Sequence, residues 1–364
     1  MRIGILTFHC AHNYGAVLQA YALQEYLSGK GHIVEIIDYR PSYLTEPYRV
    51  KLFWFRFFSK NPIECMGRFL NESFYYLPMR YKRWFAFEHF IKKQLNLSAP
   101  IIGKQIPEMY DAYIVGSDQI WNPKLTGGIF DDVYFAHFNF EKGDKKYISY
   151  AASMGATTLS EDEKKHYLKR LVDFDKISVR ENVLADLLQP LSNKPIAHVV
   201  DPTLLVGKDY WRKITKIPFS GKKYVLVYAI TRDAIVFEKA KNLANQLNIE
   251  VIELTSGIVK EKGKYQTSSP AHFLGAIKNA EFVITTSFHA TIFSILFNTP
   301  FYTVLLGGGE NSRVSSLLKM LDLQERIKRE DDIVMPETLI NWGKTNELLE
   351  KIRKNSIDFI NSFA

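Results

Sequence analysis

The chain has 364 residues, too many for one domain of common size, so two domains are expected, and 46% hydrophobic content is ample for two cores. Two cysteines exclude a disulfide framework and a cysteine metal site, and they fit a reducing cytoplasm. A formal charge of +8, from 47 basic and 39 acidic residues, asks for an anionic partner; with no basic run and no nucleic-acid motif, an anionic substrate or an anionic membrane surface is favoured over nucleic acid.

The opening, MRIGILTF, runs straight into a strand-like segment, so no secretory leader is expected. No run of about 18 apolar residues predicts a membrane-spanning helix. Ile3–Phe8 reads as a strand, His9–Gly15 as a polar turn, Ala16–Leu27 as a helix and His32–Asp38 as a second strand. Together they predict the first βαβ unit of a doubly wound sheet. The loop lacks G-x-G-x-x-G, so no dinucleotide site is indicated.

Residues 39–93 change character, with aromatic and basic residues crowding Lys51–Phe58 and Tyr75–Lys93. They are predicted to be mostly helical, inserted into the first domain over about residues 40–100. Two readings stand open: a helical subdomain packing its own aromatics, or a surface resting on an anionic membrane.

Strands are predicted at Asp111–Gly116, Lys146–Ala152, Asp175–Val179 and Ala197–Val200, each followed by polar residues. A helix with an acidic first turn is predicted at Glu161–Leu171, as the helix dipole favours. The pattern loosens at residues 207–223, read as a linker between an N-terminal domain (1–206) and a C-terminal one (224–335). In the latter, strands are predicted at Tyr224–Ile230, Glu250–Leu254, Phe282–Thr286 and Phe301–Leu306. Helices are predicted at Asp233–Leu247, Pro270–Lys278, Ala290–Asn298 and Ser312–Leu321, with a glycine turn at Gly307–Gly309. The polar helical tail, 336–364, is expected to pack back on the first domain.

In such folds ligands lie beyond the carboxyl ends of the strands. The candidate groups there are Asn13, Gly15, Ser117, Asp118, Gln119, Trp121, Arg180, Glu181 and Asp201 in the first half, and Ser287, His289 and Arg313 in the second. His289 suits a general acid or base near neutral pH. Arg180 and Arg313 suit bidentate binding of carboxylate or phosphate. Asp118 suits a base or a hydroxyl-orienting group, and Trp121 a stacking platform for a sugar ring. The Gly307–Ser312 stretch before a helix offers backbone amides to an anion. Each also admits a plain structural role: His289 as a helix-junction residue, Arg180 as an ion-paired arginine, Asp201-Pro202 as a turn. His9 and His12 read as polar loop residues, and no metal set is indicated.

HNYGAVLQAYALQEYL, VGSDQIWNP, ISYAASMG, ISVRE, VVDPTLL and ITTSFHATIFSILFNTPF follow one another in this order. From Ile3 to about Leu323 the chain resembles the polysaccharide pyruvyl transferase family. The resemblance implies two Rossmann-like α/β domains facing a cleft, similar to GT-B glycosyltransferases, with the helical aromatic-rich insertion in the first. It implies transfer of the pyruvyl group of phosphoenolpyruvate to a sugar of a cell-surface polysaccharide or its lipid-linked precursor, forming a ketal. No cofactor beyond the donor is implied. By resemblance His289 is the donor-site histidine, as proton donor or phosphoenolpyruvate ligand. Arg180 is the arginine of an S-V-R-[ED] motif and a donor-anion ligand. Asp118, with Ser117 and Gln119, is the polar loop facing the cleft, and Asn13 and Gly15 are first-loop positions. Ser287 stands where characterised members commonly carry an arginine, so Arg313 or a lysine supplies that charge, or the donor differs. A nucleotide-sugar glycosyltransferase and a non-catalytic glycan-binding protein are the other readings.

Overall fold

The computed structural model describes residues 1–50, 62–255, 257–258, 264–306, 312–336 and 339–364. The aromatic run at 51–58 and the glycine turn at 307–309, with Glu310 and Asn311, lie outside them.

The first domain opens with β1 (Arg2–Leu6), α1 (Tyr14–Gly29) and β2 (Ile33–Ile36). The insert follows: α2 (Ser42–Thr45), α3 (Pro62–Asn71), a π-helical turn (Glu72–Tyr76) and α4 (Leu77–Gln94). Then come β3 (Ala112–Val115), β4 (Lys146–Ala152), α5 (Glu161–Arg170), β5 (Lys176–Val179), α6 (Asn182–Leu188) and β6 (Ile196–His198). After α7 (Lys208–Ile214) the second sheet uses β7 (Tyr224–Ala229), α8 (Ala234–Leu247), β8 (Glu250–Thr255), β9 (Lys264–Tyr265), α9 (Pro270–Lys278), β10 (Phe282–Thr285), α10 (Phe288–Phe297), β11 (Phe301–Val304), α11 (Ser312–Met320) and β12 (Ile327–Lys328). Helix α12 (Trp342–Asn361) ends the chain.

Both sheets are six-stranded and parallel, in the orders β2-β1-β3-β4-β5-β6 and β12-β11-β10-β7-β8-β9. Central strands of a parallel sheet are covered by helices on both faces, so they read as continuous apolar runs. AYIV of β3, YVLVYA of β7 and FVIT of β10 are buried at every position for this reason. Helix starts are fixed by side-chain caps: Asn13 on α1, Ser160 with Glu163 on α5, Asp233 on α8, Ser269 on α9 and Ser287 on α10.

Each sheet reverses its winding once, between β1 and β3 and between β7 and β10. Such switch points open a crevice at the carboxyl ends of the flanking strands. The loops leaving those four strands converge on a single cavity, described below.

The domains are tied by aromatic and backbone contacts. Tyr14 of α1 stacks on Phe273 of α9 with centroids 4.4 Å apart, and its hydroxyl donates to Ser268 O at 2.9 Å. Such pairs contribute about 0.5–1.5 kcal/mol beyond their buried area. The stretch read as a loose linker contains α7, whose Trp211 is buried between Tyr21 and Phe293 and donates to Thr203 O. Helix α12 lies along the first sheet: Val200 N donates to Ser356 Oγ, and Lys146 Nζ to Phe363 O, both at 2.9 Å.

The insert is one continuous helix over residues 62–94, on the order of 50 Å long at 1.5 Å per residue. Its α4 end packs Phe87, Phe90 and Ile91 into the main core. Arg83 reaches across to the second domain, donating to Thr255 O at 3.2 Å and Gln266 O at 2.9 Å. Its α3 end exposes Ile63, Met66, Leu70 and Phe74.

Candidate active site

The strand β10 is apolar and buried, and Ser287 closes it by capping α10, its Oγ accepting from Ala290 N at 3.4 Å. Helix α10, FHATIFSILF, is apolar on nearly all sides and buried along its length, as a helix inside a core must be. The hydroxyls of Thr291 and Thr303 pair at 2.6 Å and fix it to β11. His289, in the first turn, is therefore carried on a rigid element at a helix N-terminus, where the dipole favours an anion.

The cavity in front of it has a volume of ≈440 Å³. After β1 it is lined by Phe8, Ala11 and Asn13; after β3 by Asp118 and Gln119; after β7 by Ile230; after β10 by Ser287, Phe288 and His289; and by Arg313 of α11. Tyr43, Leu44, Pro47 and Tyr48 of the insert form one wall. Asp118 adopts a left-handed backbone, φ 74°, which aspartate tolerates better than most residues. Its Oδ1 accepts from Gln119 N at 2.8 Å.

His289 lies between two first-domain elements. Its Nε2 is 3.4 Å from Asp201 Oδ2 and makes no hydrogen bond. On the other side, Gly15 of α1 is packed so close that a Cβ would stand 2.0 Å from Nδ1. Asp201 also takes Arg180 Nη1 at 2.8 Å and both Thr203 donors. Burial alone would raise the Asp201 carboxyl, but the charges of His289 and Arg180 and the Thr203 hydrogen bond outweigh it and hold it well below the usual carboxylate range.

The two arginines differ. Arg180 is 1% exposed in its side chain and enclosed by Asp201, Asp118 (3.4 Å) and Glu181 (3.8 Å). Burial disfavours its charge, and the three carboxylates more than restore it. Arg313 faces the cavity with no ion-pair or hydrogen-bond partner among the described residues. Both guanidinium groups lie over the Phe288 ring, at 5.1 and 5.6 Å. Burial, and then the neighbouring Arg180 charge, disfavour the charged form of Arg313. An anion in the cavity would relieve both effects.

Several predicted groups stand elsewhere. Trp121 is 1% exposed, stacks on Phe135 at 5.2 Å and donates to Tyr134 O, so it belongs to the first-domain core and offers no face to a sugar. Ser117 is buried, with its hydroxyl spent on Ala151 O. Arg180, expected as an anion ligand, has its charge enclosed by carboxylates and sits behind the cavity. Glu181 lies there with it, accepting from the Ser153 hydroxyl. Asn13 lines the cavity as the cap of α1, its Oδ1 accepting from Gly15 N at 2.9 Å.

The sequence reading passed over Phe288 and Tyr48 as lining groups, and His12 as more than a loop residue. His12 Nε2 pairs with Glu88 of α4 at 3.0 Å, and Arg40 joins Glu88 to Asp38, which also holds His9 at 2.8 Å. The available signal was Arg83 and Glu88, charged positions on the otherwise apolar face of Phe87, Phe90 and Ile91. Among the described residues no group of three or more His, Cys, Asp or Glu is arranged to hold a metal ion. No described helix is long and apolar enough to cross a membrane.

A family model for polysaccharide pyruvyl transferase matches residues 13–306. No curated protein sequence matches the chain. Similar solved structures include Medicago truncatula UGT71G1 complexed with UDP-glucose, at 10% identity and TM-score 0.46, covering 99% of this chain and 97% of that one. The UDP-GlcNAc 2-epimerase of Methanocaldococcus jannaschii has 10% identity and TM-score 0.44 over 96% and 92% of the two chains. The E. coli heptosyltransferase WaaC with ADP has 12% identity and TM-score 0.39 over 98% and 100%.

Proposed function

This chain belongs to the polysaccharide pyruvyl transferase family, and we propose that it moves the pyruvyl group of phosphoenolpyruvate onto a sugar of a cell-surface polysaccharide or its lipid-linked precursor, closing a pyruvate ketal. The observation that carries the reading is the free Arg313 beside the Asp201–His289 pair in a cavity bounded by two helix N-termini.

In this reading the second domain takes the donor and the first the acceptor. Arg313 and the amide end of α10 hold the donor's carboxylate and phosphate. A sugar hydroxyl attacks the substituted alkene carbon, losing its proton to Asp118. His289 delivers a proton to the methylene, which becomes a methyl group. The phosphate then leaves with its bonding electron pair, and a second hydroxyl of the same sugar closes the ketal, its proton passing to the deprotonated His289. Asp201, fixed by Arg180 and Thr203, orients His289, and Arg180 is a positioning residue. Arg313 supplies the cation that Ser287 does not.

The acceptor is proposed to be lipid-linked and met at the cytoplasmic face of a membrane. Ile63, Met66, Leu70 and Phe74 recur at helical spacing along the α3 end of the insert, with Ile63 82% and Phe74 79% exposed, and Arg68 and Lys82 are exposed on the same helix.

The test is incubation with phosphoenolpyruvate and a panel of lipid-linked sugars, followed by mass analysis. A product heavier by one pyruvate ketal, absent with His289→Gln, supports the reading. Thermal stabilisation by a nucleotide sugar and none by millimolar phosphoenolpyruvate would sink it in favour of glycosyl transfer.

A further inference from the structure

A second cavity, of ≈320 Å³, adjoins the first, and Pro47 and Tyr48 line both. We propose that it binds a phosphate or diphosphate carried by the acceptor sugar, so that the acceptor is a glycosyl phosphate rather than a neutral glycan; this rests on the transfer reading above.

Its walls are Arg49, Arg80 and Arg83, the aromatic rings of Tyr48, Tyr76 and Trp84, His12, and Gly257 and Ile258 from the second domain. No carboxylate is among the described lining residues. Arg49 pairs with Glu46 and Arg80 with Glu72, outside the lining. Arg83 is different: it is buried, and its guanidinium donates to the carbonyls of Thr255, Gln266 and His12. These neutral acceptors fix its orientation and leave its charge without a counter-ion among the described residues. Arg83 also lies 5.0 Å from the Phe87 ring centroid, which holds the guanidinium plane in place. A fixed, buried cation next to two more arginines suits an anion with several oxygens, as phosphate is.

The ring faces give the second half of the argument. A sugar undergoing reaction beside His289 carries a substituent, and the two cavities meet at Pro47 and Tyr48, so this cavity is the neighbouring space for that substituent. Trp84 and Tyr76 bring aromatic rings to the lining, which suit contact with a sugar ring, and the arginines take the charge attached to it. The pocket is built from the insert and the end of β8, so an occupant there bridges both domains.

Binding is measured by calorimetry on the full chain with glucose 1-phosphate, methyl glucoside, inorganic pyrophosphate and phosphatidylglycerol vesicles as separate probes. Glucose 1-phosphate and pyrophosphate are expected to bind, and methyl glucoside is not. Arg80→Gln should weaken both phosphates about tenfold; Arg49→Gln, at an exposed position that cannot unfold the chain, should weaken them about threefold. Trp84→Ala should weaken glucose 1-phosphate about tenfold and pyrophosphate little. His289→Gln should change neither. Phosphate binding lost in Arg313→Gln and untouched by the Arg49, Arg80 and Trp84 variants would overturn the proposal, because the anion would then sit in the reaction cavity. Binding of vesicles alone would overturn it in favour of a lipid headgroup. Failure of phosphoenolpyruvate to stabilise the protein counts against the transfer reading and leaves these binding results standing.

Discussion

Gly15 and His289 belong to different domains and are in contact: a Cβ on residue 15 would meet Nδ1 at 2.0 Å. The N-terminus of α1 thus forms the seat of the imidazole. Glycine is needed at that place for space, since residue 15 has an ordinary helical position in α1.

That makes Gly15→Ala a test with opposing signs. Alanine is favoured over glycine within a helix by about 1 kcal/mol, so local propensity alone would stabilise the chain. The clash forces His289 or α1 to move, and displacements of about 1 Å at a reacting group can cost about 100-fold in rate. The expected outcome is a 10–100-fold fall in kcat with a small change in stability. In a His289→Ala background the same substitution should become neutral or stabilising, as a double-mutant cycle on melting temperature would read. An additive cycle would mean that the contact does not position the histidine.

The two arginines over Phe288 give a second test. Removing Arg180 leaves Asp118, Glu181 and Asp201 without their shared cation. Breaking a buried ion pair in this way costs about 3–5 kcal/mol, so Arg180→Gln should lower the urea midpoint strongly. Arg313 has no such partners to abandon, so Arg313→Gln should leave the midpoint nearly unchanged. It should instead abolish the thermal stabilisation by phosphoenolpyruvate, which at 100 times Kd amounts to about 2.7 kcal/mol. The reverse pattern would exchange the roles of the two residues.

The strands and their order along the chain were legible because buried parallel strands carry uninterrupted apolar runs, as in β3, β7 and β10. Short edge strands such as β9 and β12 were not, since two residues hold no periodicity. His289 and Asp118 were singled out because polar groups directly after strands stand out, and the structure places both on one cavity with Arg313 of α11. Trp121 misled for the same reason: it follows β3 closely, but its ring turns inward onto Phe135. Which arginine is enclosed and which is free depends on carboxylates from three separate segments, at residues 118, 181 and 201. Local sequence holds no trace of that convergence.

The buried carboxylates predict how stability responds to pH. Burial pushes Glu181 above its ordinary value of 4.5, against the pull of Arg180 and the Ser153 hydroxyl. The folded state therefore holds that proton more tightly than the unfolded chain. Its stabilising contribution is complete below the unfolded value and is lost as pH rises through the folded one. Asp201 is depressed and runs the other way: its contribution is present above its unfolded value and is lost only as pH falls through the folded one. Above the ordinary carboxylate range Asp201 is constant, and Glu181 contributes a fall in stability as pH rises through its folded value. Glu181→Gln should therefore gain about 1 kcal/mol over the native chain at pH 8, where an unsatisfied buried carboxylate oxygen is relieved. The gain should shrink towards pH 4 in calorimetric scans. A gap independent of pH would assign the effect to packing.

The α3 end of the insert decides between a membrane surface and a self-contained subdomain. Ile63, Met66, Leu70 and Phe74 are spaced by three, four and four residues and stay exposed, a stripe that a closed subdomain would have buried. An anionic bilayer would cover it while Arg68 and Lys82 meet the lipid headgroups. Each basic residue near such a surface contributes about 1 kcal/mol, and the attraction is screened with a Debye length of about 10 Å at 0.1 M salt. Sedimentation with phosphatidylglycerol vesicles should therefore weaken as salt rises. The double variant Ile63→Glu, Phe74→Glu should lose binding at every salt concentration, since it removes the apolar contact and adds two negative charges. Both side chains are exposed, so its melting temperature should stay close to that of the native chain. Vesicle binding that survives this variant would move the contact elsewhere on the molecule. Binding absent from the native chain would leave the stripe without a bilayer partner, and the acceptor would then have to reach the cavity from solution.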